Sequence, residues 1–187
     1  MIDTSEQNKD RQKLADFDEI WLFGYGSLIY KVDFPFLEKS VASIKGWQRK
    51  FWQGSHDHRG TPNNPGRVVT LIPVSSHIEC TGMAYRITEE EFVHLDHREK
   101  NGYLRHEVTL QFENRSFKQG VIYIADEDNM AFLGKASISD IAQQILESRG
   151  PSGENREYLL ELANSLRKLN ISDDHIFKIE KALLKLI

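Results

Sequence analysis

The sequence lacks the features that announce several protein classes. Its 187 residues include a single cysteine, Cys80, so counting excludes both an internal disulfide and a four-cysteine zinc site. That usage fits a reducing compartment, and a cytoplasmic protein is expected. Five scattered prolines form no linker, and no internal repeat or low-complexity block marks a domain boundary. Apolar runs are short. The longest uncharged one, Ile20 to Tyr30, is broken by Gly24, Gly26 and Ser27 and falls well below the roughly 20 residues that span a bilayer. Basic charge is not in excess either. With 24 Lys and Arg against 28 Asp and Glu, the net charge is −4 and both signs are mixed along the chain, which speaks against a nucleic-acid partner. Residues 1–18 alternate charges and amides and cannot form a signal-peptide hydrophobic region, so they read as a polar tail at the start of the mature chain. Residues 19–187 read as one domain, a length at which about 70% of the unfolded surface is buried.

What is present is a change of period along the chain. Glu19–Phe23, Ser43–Trp52, Arg67–Val74, Ile78–Ile87, Tyr103–Phe112 and Phe117–Ile124 are rich in β-branched and aromatic residues and are separated by turn formers, which predicts strands of one sheet or barrel. A helix from Thr88 to about Glu99 interrupts them, opening on the capping box Thr88-Glu89-Glu90-Glu91. Beyond that region the apolar spacing becomes helical, over Ser139 to Ser148, Asn155 to Leu169 and Asp173 to Ile187. Strands followed by helices predict an α+β fold.

Four segments carry residues suited to chemistry. Phe23-Gly24-Tyr25-Gly26-Ser27-Leu28 is a glycine-rich turn at a strand end. Such a turn is either a simple strand-end reversal or a nest of N–H donors for a carboxylate or oxyanion. It is neither a dinucleotide fingerprint nor a phosphate loop, because Ile29 stands where a third glycine belongs and no Gly-Lys-Ser/Thr follows. On the helix, Phe92, Leu95 and Glu99 fall at i, i+3 and i+7, which places a carboxylate on the inward face. Asp96 has Lys100 available at i+4, whereas Glu99 has only Leu95 and Tyr103 at that spacing. Burial and a nearby like charge both disfavour an ionised carboxylate, the condition of a general acid/base, although a helix-end glutamate facing solvent fits the same spacing. His56-Asp57-His58-Arg59 lacks a third metal ligand and reads as a polar loop, from which Arg59 or Arg67 can reach a substrate carboxylate. His94 and His97 read as a solvated helix face, and Cys80 as a buried structural thiol. Gly150-Pro151-Ser152-Gly153-Glu154-Asn155 precedes a helix N-terminus, a place for an anion or a plain inter-helix turn.

Six stretches in order resemble the ChaC-type γ-glutamylcyclotransferases: the turn at 23–28, Gly46-Trp47-Gln48-Arg49-Lys50-Phe51, the Ser-x-Asp-His-Arg-Gly loop at 55–60, Pro65-Gly66-Arg67-Val68-Val69-Thr70-Leu71, the run Leu95 to Tyr103, and Gly-Pro-Ser-Gly-Glu-Asn-Arg-Glu-Tyr-Leu at 150–159. The likeness extends over nearly everything after Ile20. It implies a small mixed β-barrel core with helices packed outside and a helical C-terminal part. The implied activity is a cofactor-independent lyase that cleaves glutathione into 5-oxoproline and cysteinylglycine, with no metal and no membrane or nucleic-acid partner. Glu99 is implied as the catalytic acid/base, and Tyr25, Gly26, Ser27, Leu28, Arg67, Tyr103 and Tyr123 as substrate-binding residues. One departure is visible: Phe132 stands where related proteins carry a tyrosine in the segment Asn129 to Gly134. Alternatives are a cyclotransferase for other γ-glutamyl amines and a non-catalytic binding domain on the same scaffold. A hydrolase using Ser27 is weaker, because Gly-x-Ser-x-Gly is absent.

Overall fold

A computed structural model of the chain describes residues 4–11, 17–99 and 102–187. By backbone contacts it divides into two compact units: one comprises residues 1–48 and 71–130, the other 49–70 and 131–187.

The first unit is built on a closed barrel. The segment read as a polar tail begins with a helix, α1 (Ser5–Arg11), while residues 12–16 lie outside the described residues. Strand β1 (Ile20–Gly24) pairs antiparallel with β5 (Glu79–Ile87) and parallel with β7 (Phe117–Ile124). Strands β2 (Glu38–Lys45) and β6 (Leu104–Phe112) complete the order β1-β5-β2-β6-β7. The barrel is mixed, because β1 and β7 run parallel while the other pairs are antiparallel. Along β6 the side chains of Val108, Leu110 and Phe112 are buried in strict alternation, as expected of a strand with one face in the core. β1 and the end of β7 are buried more continuously, which explains their runs of Trp, Leu, Phe, Val and Ile.

Two sequence expectations change here. The strand predicted over Ser43–Trp52 is two strands, β2 and β3 (Trp47–Ser55), because Gly46 takes a left-handed φ of +80° and turns the chain. β3 also leaves the barrel order and pairs with β4 (Gly66–Pro73) as a separate two-stranded ribbon. Periodicity identifies a strand, but which edge it joins depends on the turn before it.

Helix α2 (Glu89–Arg98) follows β5 directly, and the Thr88 hydroxyl accepts the Glu91 N–H at its N-cap as the capping box predicts. In the second unit, α3 (Ile138–Glu147) is followed by a minimal hairpin, β8 (Arg149–Gly150) with β9 (Gly153–Glu154). Helices α4 (Asn155–Lys168) and α5 (Asp174–Leu183) complete it. Ile141, Ile145, Leu159, Leu162, Leu166, Ile176 and Ile179 are fully buried, the three- and four-residue spacing of the sequence turned into one helical core. Its entry into α5 is polar. Asp173 caps Ile176 N–H with one oxygen and takes Arg49 at 2.6 Å with the other, while His175 Nε2 accepts the Phe51 N–H at 3.0 Å.

That last bond requires a neutral imidazole, and burial, with Lys50 adding to it, pushes the His175 pKa from 6.5 to about 4. Between those values the unfolded chain binds the proton first. Stability should therefore be level above pH 6.5 and fall by up to about 3 kcal/mol as the pH drops toward 4. Chemical denaturation at a series of pH values checks this, and His175→Gln should flatten the slope in that window.

Candidate active site

The glycine-rich turn leaves the end of β1 and closes immediately. Gly24 cannot carry a side chain there, since a Cβ would lie 2.6 Å from the Leu28 Cβ. A 3-10 turn over Ser27–Ile29 follows, and its own hydrogen bonds begin with the Ile29 N–H donating to Gly26 O at 3.0 Å. The N–H groups of Ser27 and Leu28 thus precede the ladder, on residues that are half-exposed. Two buried tyrosines pin this turn. Tyr25 donates its hydroxyl to the Tyr123 carbonyl at 2.8 Å, and Tyr85 donates to the Leu28 carbonyl at 2.5 Å. Burial pushes the Tyr85 pKa up to about 12, so it stays a donor at any physiological pH.

Tyr123, at the end of β7, donates its own hydroxyl to Asp96 Oδ1 at 2.6 Å. Asp96 is also 3.4 Å from Arg105 Nε, and the Arg105 guanidinium stacks 4.6 Å above the Phe92 ring. The pairing of Asp96 with Lys100 suggested by helical spacing involves a residue outside the described ones; among the described residues the Asp96 carboxylate turns toward the barrel. The physical reason is charge. Arg105 is a fully buried cation on the strand that follows and needs an anion beside it.

Glu99 sits three residues beyond Asp96, where α2 ends. Its N–H donates to Leu95 O at 2.9 Å, its carbonyl accepts the Tyr103 N–H at 3.3 Å, and it is half-buried. Phe92 and Leu95, which share its face, are buried. The Tyr123 hydroxyl has its pKa raised first by burial, then by Asp96, and also by the charge of Glu99, so Glu99 acts on the same hydroxyl. The chain then reverses through Gly102 at φ +91°, where a Cβ would lie 2.3 Å from Asn129 Nδ2. Asn129 donates to Gly102 O at 2.8 Å, and Thr4 and Asn8 donate to Tyr103 O at 2.9 and 3.0 Å. Asn101, part of the quoted motif, lies outside the described residues.

Of the residues singled out from sequence, Tyr25, Gly26, Ser27, Leu28, Glu99, Tyr103 and Tyr123 therefore fall in the barrel unit and are linked through Tyr123. Arg67 belongs to the other unit, where it is held by several hydrogen bonds. Its Nε donates to Gln144 at 2.6 Å and its NH1 to the carbonyls of Phe51 and Gly134, while its backbone is bridged on both sides by the Asn155 amide. A guanidinium that donates through Nε and NH1 to backbone carbonyls and to Gln144 holds loops together. Arg59 is likewise engaged, with Glu154 O and Glu157. Asn155, at the start of α4, has its side chain fully buried on Arg67, which accounts for it structurally. Phe132 packs its ring edge against Trp52. His94 and His97 are exposed and Cys80 is buried. Asp96, Arg105 and Asn8 were missed. Asp96 was signalled, since it is an acid on the inward side of α2, but the partner that draws it in lies on another strand.

The barrel unit thus carries a half-buried carboxylate, a locked tyrosine and a turn with N–H donors, groups suited to an enzyme of the acid/base type. Comparison with known proteins gives the family. The ChaC-like protein family model matches residues 20–186. Among curated relatives, "Glutathione-specific gamma-glutamylcyclotransferase 1" of Danio rerio is 42% identical, covering 96% of each chain, and "Gamma-glutamylcyclotransferase 2-3" of Arabidopsis thaliana is 43% identical, covering 84% of each. The crystal structure of the yeast γ-glutamyl cyclotransferase specific to glutathione superposes with a TM-score of 0.82 at 32% identity, covering 89% of this chain and 96% of the yeast one. The chain belongs to the ChaC-like family.

The Asp96 carboxylate serves two partners of unequal demand. Asp96→Ala should cost about 3–5 kcal/mol, because it removes the carboxylate beside a buried guanidinium, whereas Tyr123→Phe removes one hydrogen bond and should cost about 1–2 kcal/mol. Denaturant titration of the two variants checks the order, and equal losses would mean that Arg105 is balanced by another group.

Proposed function

We propose that this protein cleaves glutathione by intramolecular cyclisation of the γ-glutamyl group, releasing 5-oxoproline and cysteinylglycine, with Glu99 as general acid/base. Family membership and the glutathione-specific relatives support the substrate. The observation that carries the residue assignment is the position of Tyr123: its carbonyl holds the glycine-rich turn through Tyr25, and its hydroxyl feels both Asp96 and Glu99.

The chemistry asks little beyond geometry and proton transfer. The α-amine of the glutamyl residue attacks its own γ-carbonyl, a C–N bond closes the five-membered ring, and the amide bond to cysteine breaks. Nucleophile and electrophile share one molecule, so a correctly folded substrate draws on effective molarities of about 10⁵–10⁸ M. The α-ammonium loses one proton before attack and a second as the ring nitrogen becomes an amide, and the departing nitrogen gains one as it leaves and a second as it becomes the free ammonium. A single carboxyl group that exchanges protons near neutral pH performs these transfers in turn, and no net proton or water is consumed. Half-burial at a helix end gives Glu99 the reduced solvation that such a role needs. The N–H donors of Ser27 and Leu28 suit either the α-carboxylate or the oxyanion of the tetrahedral intermediate, two anions of similar demand. Tyr123, locked as a donor to Asp96, serves as a fixed wall between turn and carboxylate. This activity places the protein where glutathione is abundant, in a reducing compartment such as the cytoplasm.

Purified protein incubated with glutathione should produce 5-oxoproline and cysteinylglycine in equal amounts by mass spectrometry. Glu99→Gln should bind glutathione with little change and turn it over about 10²–10⁴-fold more slowly. Absence of both products with the wild-type chain overturns the activity, near-full turnover by the variant removes Glu99 from its role, and a preference for γ-glutamyl-alanine would displace glutathione as the substrate.

A further inference from the structure

The family match begins at residue 20, so α1 stands outside the matched span. Yet α1 makes a close-fitting contact in the barrel unit. β2 pairs with β6 at Ala42–Phe112 and Ser43–Gln111, toward the end of β6. At the beginning of β6 the backbone groups that a neighbouring strand would satisfy are met by side chains of the N-terminal segment. Asn8, fully buried, donates its Nδ2 to Tyr103 O at 3.0 Å and accepts the Arg105 N–H on Oδ1 at 2.8 Å. A side-chain amide thereby bridges a carbonyl and an N–H two residues apart, as an extended strand would. The Asn8 carbonyl accepts from the Arg105 guanidinium, Thr4 adds a second donor on Tyr103 O, and Arg11 donates to Arg105 O at 3.1 Å.

These contacts converge on two residues that matter to the site. Tyr103 closes the reversal that starts at Glu99, through its N–H on Glu99 O. Arg105 neutralises Asp96, which holds Tyr123. Asn8 is thus one residue, Tyr103, removed from the proposed acid/base on one side and two, Arg105 and Asp96, from the locked tyrosine on the other. We infer that Asn8 is a positioning residue for the reaction: the α1 segment acts as a strap across the start of β6, and its Asn8 amide fixes the Glu99–Tyr103 reversal and the Arg105 side chain in one geometry. This rests on the reading of Glu99 as the acid/base. The reason for an asparagine is chemical, since Ala supplies neither bond and Asp supplies only the acceptor. A carboxylate that must move a proton between two nitrogens of one substrate tolerates little displacement, so the strap bears on turnover more than on binding.

The test uses the full chain. Asn8→Ala should lower kcat for glutathione by about tenfold or more with KM within about threefold, and amide exchange in the segment 102–107 should quicken by about tenfold while the rest of the barrel keeps its protection. Thr4→Val, which removes one of the donors on Tyr103 O, should move both readouts the same way by less, and it carries the test if Asn8→Ala does not fold. Unchanged kcat overturns the inference, as does a fall in kcat accompanied by faster exchange throughout the barrel, which would make Asn8 a general fold-holding residue. Glu99→Gln assayed alongside separates the two readings: an active Glu99→Gln removes the acid/base assignment and this inference together, whereas an inactive Glu99→Gln beside a fully active Asn8→Ala overturns this inference alone.

Discussion

The bond from the Tyr123 hydroxyl to Asp96 is the tie on which the barrel unit's site depends. Helix α2 is mostly polar, and Phe92 and Leu95 are its buried apolar residues. Two such side chains contribute roughly 1.5–3 kcal/mol each, enough to hold a short helix against a barrel but not to fix its rotation. The rotation is fixed by charge. Asp96 faces Arg105, and in doing so it meets Tyr123, with Glu99 three residues further along the chain. A buried ion pair of this kind adds little net stability relative to an apolar replacement, but it specifies one arrangement because every alternative strands a charge.

The second unit uses the same device for a different end. Arg67, buried and with its pKa lowered chiefly by desolvation, is surrounded by the carbonyls of Phe51 and Gly134, the Gln144 amide and the Asn155 side chain. Asn155 in turn bonds both the N–H and the carbonyl of Arg67, while Gln144 and Ser148 hold Pro65. The polar residues of the motifs around Arg67 and Asn155 thus form one satisfied network, and an unsatisfied member of it would cost about 1–3 kcal/mol. Motif residues of the same apparent importance divide by unit: those near Glu99 border the candidate chemistry, and those near Arg67 hold loops in place.

Glycine positions make the same point from the backbone. At Gly24 a side chain would collide with Leu28, and at Gly102 both the left-handed φ and Asn129 forbid one. Each lies where a segment must reverse within a few residues of a candidate site group, the turn donors in one case and Glu99 in the other. Tight reversal at these points is what lets short loops on a rigid barrel present donors and a carboxylate together.

The sequence by itself determined the strands, the three C-terminal helices and the cap at Thr88, because these follow from local period and local hydrogen bonding. Helical spacing left Glu99 either on the apolar side of α2 or facing solvent, and the structure has it half-buried at the helix end. The sequence could not decide that Gly46 ends one strand and begins another, that β3 and β4 leave the barrel, or that Asp96 meets Arg105 and Tyr123. Nor could it reveal that Arg67 donates to the carbonyls of Phe51 and Gly134, or that a segment read as a polar tail buries Asn8 against β6. Those outcomes turn on partners far away in sequence, up to 97 residues in the case of Asn8 and Arg105. A residue's own pattern states how its backbone runs, whereas the fate of a buried charge or amide is set by whichever distant group closes its hydrogen bonds, and only the tertiary structure decides that.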